Sequence, residues 1–239
     1  MKVHESRSIS QKGGNIIGVA RCIYLLAQIN LASGDPGAAG SGFREAQAIY
    51  QQEGRLPNLA NCTKGLGEVL LWEGRPEAAE PLFEQARESF QQLEARQSAA
   101  ECLWRLGGIF LDTGRYNEAE KALDEARGDF QDAGDSRSTA SCLMSLGRLY
   151  KARQQYHEAE LAFNTSLGSF RVVGDSHNLA VCFGEVGEFF EELHRYAEAE
   201  EAFKDSAQLW REIGLPQNAG RSDKGMKRVC KLRAAASEE

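Results

Sequence analysis

The sequence has little proline, no long apolar run and no excess of positive charge, and each lack excludes a class of protein. Five prolines occur in 239 residues, and none breaks a long apolar-periodic segment, which favours helices. No apolar stretch approaches the roughly 20 residues of a membrane-spanning helix, and residues 1–14 lack the apolar core of a signal peptide. A net charge of −7 would repel the phosphates of nucleic acids. We therefore expect a cytoplasmic protein that contacts neither membranes nor nucleic acids.

Cysteine is also scarce, and its spacing predicts internal repetition. Five of the six cysteines recur every 40 residues, at Cys22, Cys62, Cys102, Cys142 and Cys182. The same step relates a mostly glycine column (Ala27, Gly67, Gly107, Gly147 and Gly187) and a mostly phenylalanine column (Phe43, Phe83, Leu123, Phe163 and Phe203). Columns that share one register indicate a repeat protein rather than a disulfide scaffold. We expect buried, reduced thiols, because neighbouring first helices lie about 8–10 Å apart, beyond the roughly 7 Å between Cα atoms that a disulfide allows.

Each 40-residue unit is predicted to form two helices. In the third unit, apolar residues recur at steps of three and four from Cys102 to Phe110 and again from Ala119 to Phe130, with the helix-ending Gly114 between them. Gly107 and Ala119 are expected to let the two helices approach closely. One hairpin cannot bury such faces alone, but stacked hairpins can. The sequence therefore predicts an all-α fold, an α-α superhelix (solenoid) of stacked antiparallel helical hairpins.

Five repeats follow from this register, and the ends of the chain differ from them. The predicted repeats are residues 15–54, 55–94, 95–134, 135–174 and 175–214. Residues 1–14 align with the end of a second helix, so we expect them to be the remnant of a preceding repeat. Residues 215–239 align with a first helix but are rich in Lys and Arg, which predicts a polar capping helix and a frayed tail.

The repeat resembles the tetratricopeptide repeat. The resemblance rests on one pattern, which in the third unit is Leu103, Leu106, Gly107, Phe110, Ala119, Leu123 and Ala126. The 40-residue length resembles the arrays of Pins-type adaptors, kinesin light chains and some signalling NTPases. The resemblance implies that the first helices line a concave groove, which binds a protein or peptide segment. Two binding patterns of the family are missing: no Asn follows the Leu-Gly or Val-Gly pairs, and the Lys-Asn-Arg clamp for a carboxylate is absent.

The implied groove gives a set of candidate binding residues on the first helices. Its aromatic members would anchor a partner, as Trp and Tyr do at many interfaces, although Trp72 and Trp104 could instead cover seams between repeats. The fifth repeat has ten acidic residues against three Lys or Arg, so a basic stretch of the partner is expected to bind there. The predicted groove positions are Tyr24, Gln28, Lys64, Glu68, Trp72, Glu101, Trp104, Asp112, Met144, Arg148, Lys151, Glu188, Glu191 and Glu192.

The sequence shows no pattern of a catalytic or metal site. Its four histidines share no column, its acidic pairs fall at the starts of second helices, and it has no Gly-rich phosphate loop or nucleophile motif. We expect no catalytic residue, no cofactor and no metal. Three functions stay open: an interaction scaffold or adaptor, which the sequence favours; a regulatory or sensor region of a larger signalling protein, for example a STAND-type NTPase; and, least favoured, an enzyme.

Overall fold

A computed structural model describes residues 15–236 of the chain. Within that range it contains eleven α-helices, one short 3-10 helix and no β-strand. The helices are α1 (Ile16–Ala32), α2 (Pro36–Gln52), α3 (Leu56–Trp72), α4 (Pro76–Gln92), α5 (Arg96–Asp112), α6 (Tyr116–Asp132), α7 (Ser136–Ala152), α8 (Tyr156–Val173), α9 (Ser176–Glu192), α10 (Tyr196–Glu212) and α11 (Ala219–Ala235), with the 3-10 helix at Pro216–Asn218. The all-α prediction is confirmed. The helix remnant predicted at residues 1–14 lies outside the described residues.

The helices form successive hairpins. We call α1, α3, α5, α7, α9 and α11 the A helices and the intervening ones the B helices. By its internal contacts the chain divides into two compact units, Met1–Asp129 and Phe130–Glu239, and the boundary falls inside α6. In the first unit each helix from α1 to α5 packs on the next, and in the second unit the helices from α7 to α11 do the same. Each unit is therefore a run of helical hairpins built on the 40-residue register.

A left-handed turn that recurs every 20 residues divides each repeat in two. A residue with positive φ follows every helix from α1 to α10, at Gly34, Gly54, Gly74, Glu94, Gly114, Gly134, Gln154, Gly174, His194 and Gly214. In one such turn the Gly54 N–H donates to the Gln51 carbonyl at 3.3 Å and the Arg55 N–H donates to the Tyr50 carbonyl at 2.9 Å. This pair of bonds is the Schellman motif, which satisfies the last carbonyls of a helix. The regular turn keeps nearly all of these helices at one length and so maintains the repeat.

Proline lies at the starts of helices and, once, inside one. Pro36 is the first residue of α2, where its missing N–H leaves no helical bond unmade. The preceding Asp35 caps the same helix, because its side chain accepts the Ala38 N–H at 2.9 Å. Pro81 lies within α4, in a segment that the sequence suggested was free of interrupting proline. It removes one backbone hydrogen bond, yet the helix continues to Gln92 because its buried face is intact.

In the hairpins after the first, the two helices approach so closely that one A-helix position accommodates only glycine. In the first hairpin this position is Ala27, and the glycine lies opposite it, at Gly42 of the B helix. A Cβ atom on Gly147 would lie 2.7 Å from the Phe163 ring, and a Cβ atom on Gly187 would lie 2.7 Å from the Phe203 ring. Gly107 makes the equivalent contact with Leu123. The Leu123 side chain reaches across to Gly107 from α6, and Ala119, one turn before it, is fully buried as well. A large B-helix side chain thus fills the space that the glycine leaves.

The same register continues into α11. Val229 of α11 is fully buried, 40 residues after the buried Phe189. A Cβ atom on Gly225 would lie 2.7 Å from the ring of Phe203, as one on Gly65 would from the ring of Phe43. Helix α11 therefore packs on α10 as the A helix of a further repeat would. It begins three residues later than the aligned start at 216, because residues 216–218 form the 3-10 turn.

We expect Gly147→Ala to destabilise the protein. Its methyl group would overlap the buried Phe163 ring, and such overpacking costs about 1–3 kcal/mol. Gly168→Ala is the matched control, because Gly168 is an exposed helical glycine of α8 with nothing within 4 Å of the added methyl group. The control should be stabilised by about 0.5–1 kcal/mol. The urea midpoints of the two variants measure the difference, and equal midpoints would show that the close helix approach is not required.

Candidate functional site

Charged residues on neighbouring A helices of the first unit form ion pairs. Lys64 of α3 pairs with Glu101 of α5, and Glu68 pairs with Arg105 at 2.7 Å. Residues 64 and 68 are one turn apart, so the two pairs lie side by side on the helices. We call the A-helix stripe that carries these pairs the first A face. The groove positions predicted in this unit are Tyr24, Gln28, Lys64, Glu68, Trp72, Glu101, Trp104 and Asp112.

The two tryptophans of the first A face differ in exposure. The Trp72 side chain is 56% exposed, and its ring lies 3.5 Å from the place that a Cβ atom on Gly34 would take. It therefore covers the turn between α1 and α2 while most of its surface faces solvent. Trp104 is half-buried, and the Arg105 guanidinium stacks 4.5 Å from its ring centroid. Trp72 thus fits the anchor interpretation better, whereas Trp104 serves partly as packing.

Tyr24 forms the polar end of the aromatic packing in α1. Its ring meets the Phe43 ring edge-on, with 5.5 Å between the centroids. Its hydroxyl accepts a hydrogen bond of 3.1 Å from the Gln28 amide. Burial raises the pKa of Tyr24 to about 12, so the phenol is neutral at physiological pH. Asp112, at the end of α5, is exposed.

The A helices of the second unit carry a denser set of ion pairs, which we call the second A face. Glu188 of α9 pairs with Arg221 of α11 at 2.7 Å, and Glu191 of α9 pairs with Arg228 of α11. Between α7 and α9 the pairs are Lys151 with Glu192 at 2.8 Å and Arg148 with Glu185 at 3.7 Å. Met144 is half-buried against the apolar core between α7 and α9. Every glutamate predicted to attract a basic partner is therefore already paired with a cation of this chain.

Half of the basic members of these pairs were not predicted from the sequence, namely Arg105, Arg221 and Arg228. Arg221 and Arg228 fall in the segment that was predicted only as a polar cap. A signal was present, since Lys64 with Glu101 and Glu191 with Arg228 are both separated by 37 residues. A separation of 37 residues is three residues short of the 40-residue repeat. The two opposite charges therefore lie on adjacent A helices, offset by about one helical turn.

A second set of ion pairs ties the turns to the B helices. The Arg115 guanidinium donates to both oxygens of Glu80 at 2.8 Å and to Glu118, and it stacks 4.2 Å from the centroid of the Phe110 ring. The equivalent Arg195 contacts Glu160 and Glu198. The hydrogen bond from the guanidinium lowers the pKa of the Glu118 and Glu198 carboxyls. These contacts hold consecutive hairpins together and are structural.

The cysteine column lies in the helix packing, as the sequence predicted. Its five members are buried and form no disulfide, whereas Cys230 is exposed. Burial raises the pKa of Cys62, Cys102 and Cys182 to about 12. Among residues 15–236, no group of three or more His, Cys, Asp or Glu side chains could hold a metal ion. The column therefore consists of buried thiols, and the raised pKa keeps Cys62, Cys102 and Cys182 neutral near pH 7.

Close-packed hairpins with glycine at the helix contact and paired charges on the A helices define a helical-repeat protein. The sequence matches the tetratricopeptide repeat family over residues 17–92 and 98–171, which is more than half of the chain. The chain belongs to this family, which confirms the resemblance identified from the sequence. In the part that the structure describes, no helix is both long and apolar enough to cross a membrane.

Solved structures of similar fold support this assignment. The crystal structure of BtubC (BKLC) from P. vanneervenii matches with a TM-score of 0.60 and 20% identity, over 99% of this chain and 89% of that one. Kinesin light chain TPR-like repeats from Podosopora anserina match with a TM-score of 0.61 and 17% identity, over 81% and 95%. NprR in complex with its cognate peptide NprX matches with a TM-score of 0.68 and 16% identity, over 92% of this chain and 64% of that one. Identities this low establish the fold alone, and no curated protein sequence matches the chain.

We expect a thiol reagent to label one cysteine rapidly and five only after unfolding. Cys230 is exposed, whereas the five column cysteines are buried and a raised pKa keeps three of these thiols protonated. Partial desolvation, together with a hydrogen bond to Glu200, raises the pKa of the exposed Cys230 thiol, so its labelling should accelerate between pH 7 and pH 9. The measurement is thiol titration with and without denaturant. Rapid native labelling of several column cysteines would contradict their burial.

Proposed function

We propose that the chain is an interaction scaffold or adaptor, which holds a peptide or protein segment against its A faces. The observation that carries the proposal is Trp72, a large aromatic side chain that is 56% exposed beside the paired charges of the first A face. Residues that dominate protein interfaces are enriched in Trp, Tyr and Arg, and they are surrounded by contacts that add little energy but exclude water. The first A face offers this combination on adjacent helices.

The relatives support a peptide as the partner. The NprR structure holds its cognate peptide NprX, and a Rap protein is complexed with the competence and sporulation factor. A Rap conjugation regulator of the plasmid pLS20 is complexed with the Phr* peptide. Each of these chains shares the helical fold of this protein at 14–18% identity. An extended or helical peptide is therefore the partner we propose for the A faces.

The ion pairs indicate how such a peptide would gain affinity. Lys64 and Glu68 already have partners within the first A face, and exposed pairs of this kind contribute only about 0–1 kcal/mol each. A ligand therefore meets charges that are largely balanced. We propose that apolar and aromatic contacts supply most of the affinity, and that the charges orient the ligand.

A second proposal is that the chain is the regulatory or sensor region of a larger signalling protein. The observation that favours it is that the chain matches only part of two solved relatives, namely 64% of the NprR chain and 66% of a Rap protein chain. The sequence of the full gene product distinguishes the two proposals. An adjoining NTPase or other effector domain would favour the sensor, and a chain made only of repeats would favour the adaptor. Catalysis by the repeats is part of neither proposal.

We expect Trp72→Ala to weaken peptide binding without unfolding the protein. Loss of an interface anchor costs about 2 kcal/mol or more, or roughly 30-fold in affinity. The side chain is more than half exposed, so its removal leaves no large cavity and the thermal midpoint should change little. The probe is a set of 12-residue peptides selected on the wild-type protein from a random phage-display library and measured by calorimetry.

Leu161→Ala is the control for Trp72→Ala, because Leu161 is 63% exposed on the B helix α8. It should leave affinity unchanged. Trp104→Ala should weaken binding too but also lower the midpoint, since its ring is half-buried under Arg105. Unchanged affinity in both tryptophan variants would remove the first A face from the binding surface.

We also propose that the second A face prefers a basic peptide segment, which exchanges with the arginines of α11. Arg221 is 76% exposed while it pairs with Glu188, so an incoming cation can replace it at small cost. The triple variant Glu188→Gln, Glu191→Gln and Glu192→Gln should reduce the affinity for lysine-rich selected peptides. Raising the salt concentration from about 50 to 500 mM should reduce it for the wild type.

The matched control removes the same number of negative charges from the B helices of this unit, by Glu158→Gln, Glu201→Gln and Asp205→Asn. This control should retain the affinity for lysine-rich peptides, because the removed charges lie on the B helices. An effect of net charge alone would instead weaken both triple variants equally. If the two triple variants behave alike, the basic preference has no specific site. If neither salt nor the first triple variant changes the affinity, the basic preference is wrong.

A further inference from the structure

One column of A-helix residues faces the neighbouring repeats. All of its members have a side chain except one, which is a glycine. At 40-residue steps this column reads Tyr24, Lys64, Trp104, Met144, Gly184 and Lys224. Met144 fills the space between α7 and α9 by packing against the core there. Gly184 of α9 has no side chain that could extend toward α11. A Cβ atom there would meet only the Ser206 hydroxyl oxygen, at 3.6 Å, which is an ordinary contact.

The missing side chain leaves a cavity of about 320 Å³ between α9, α10 and α11. Its volume lies at the lower end of the range of about 300–1,000 Å³ that is usual for ligand sites. The buried rings of Phe203 and Trp210 line it from α10. The Ser206 hydroxyl bonds to the Ala180 carbonyl at 2.7 Å and to the Ser222 hydroxyl at 2.8 Å. Because these polar groups have partners, the interior offers aromatic surface and suits an apolar group.

Polar side chains line the same cavity. Glu185 and Glu188 contribute carboxylates from α9, and Gln217 and Asn218 contribute amides from the 3-10 turn. Arg221 lies across the cavity from α9 and is held by Glu188, although three quarters of its side chain is exposed. Displacing that arginine would free a carboxylate beside the apolar interior. A neighbouring cavity shares Glu188 and Arg221 and adds cations from α11, so only the α9 side is acidic.

We infer that this cavity is an anchor site for a linear peptide. It takes one apolar side chain of about the size of Leu or Met, followed or preceded by a Lys or Arg that binds Glu185 and Glu188. The amides of Gln217 and Asn218 bond to the peptide main chain at the rim. This inference rests on the proposed peptide-binding function and assigns one subsite within the second A face. The subsite joins the predicted groove residue Glu188 to Gly184 and Arg221, which were not predicted from the sequence.

The test fills the cavity with a side chain that the column already uses. Gly184→Met places there the residue found at position 144, and Gly168→Met, on the exposed side of α8, is its matched control. Both remove a helical glycine, so neither should lower the thermal midpoint. Gln217→Trp is a second variant, which covers the cavity from an exposed rim position and does not alter the helices. The probes are 12-residue peptides selected on the wild-type protein from a random phage-display library.

The selected peptides should share an apolar residue next to Lys or Arg. Gly184→Met and Gln217→Trp should lower their affinity at least about tenfold, while Gly168→Met should not. Replacing the apolar anchor of a peptide by Gly should weaken its binding to the wild-type protein but not to the Gly184→Met variant. Such a difference would show that the anchor residue binds in this cavity. Full affinity in both cavity variants would overturn this inference and leave peptide binding intact. Failure of the wild type to select any peptide would overturn the proposed function and this inference with it.

Discussion

The close contact between a glycine of an A helix and a large side chain of its B helix is the constraint on which each unit depends. Gly147 and Gly187 leave room for Phe163 and Phe203, with no space for even a methyl group. This contact fixes both the separation and the rotation of the two helices, because a ring that fills a glycine site can be seated in only one way. Once the hairpin is fixed, the A helices of successive hairpins present the same stripe to one another, and their charges come within ion-pair distance.

The left-handed turns between the helices are the second regular feature of the fold. Residues other than glycine occupy some of these turns, where local hydrogen bonds compensate for the strain. Ten positive-φ positions recur every 20 residues, and three are not glycine: Glu94, Gln154 and His194. A left-handed conformation costs about 1–2 kcal/mol for such residues, but the turn still forms, since each keeps the same carbonyl bonds as the glycine turns. His194 also bonds through its ring nitrogen to the Tyr196 hydroxyl at 2.8 Å. The repeat is therefore maintained by geometry and not by residue identity at every position.

The A faces combine balanced charges with positions that depart from the repeat pattern. Their charges are balanced within the chain, so they do not impose a strong field of one sign, and their irregular positions hold what a partner would contact. Trp72 projects from the first A face, and Gly184 opens a cavity in the second. In a repeat protein the common residues build the scaffold, so exceptions to the column pattern are where specificity can reside. Glu188 and Glu191 of α9 illustrate this, because their partners lie on the atypical helix α11.

The sequence by itself determined the all-α fold, the 40-residue period and the buried columns, because burial of a helical face is recorded in spacings of three and four along the chain. It also placed the cysteines correctly in the core. Only the tertiary structure decided which charges pair, since partners 33 to 41 residues apart meet according to the rotation of two packed helices. It likewise decided that the Leu123 side chain fills the space at Gly107. The cavity at Gly184 is volume left among three helices, and no single position in the sequence encodes such a volume.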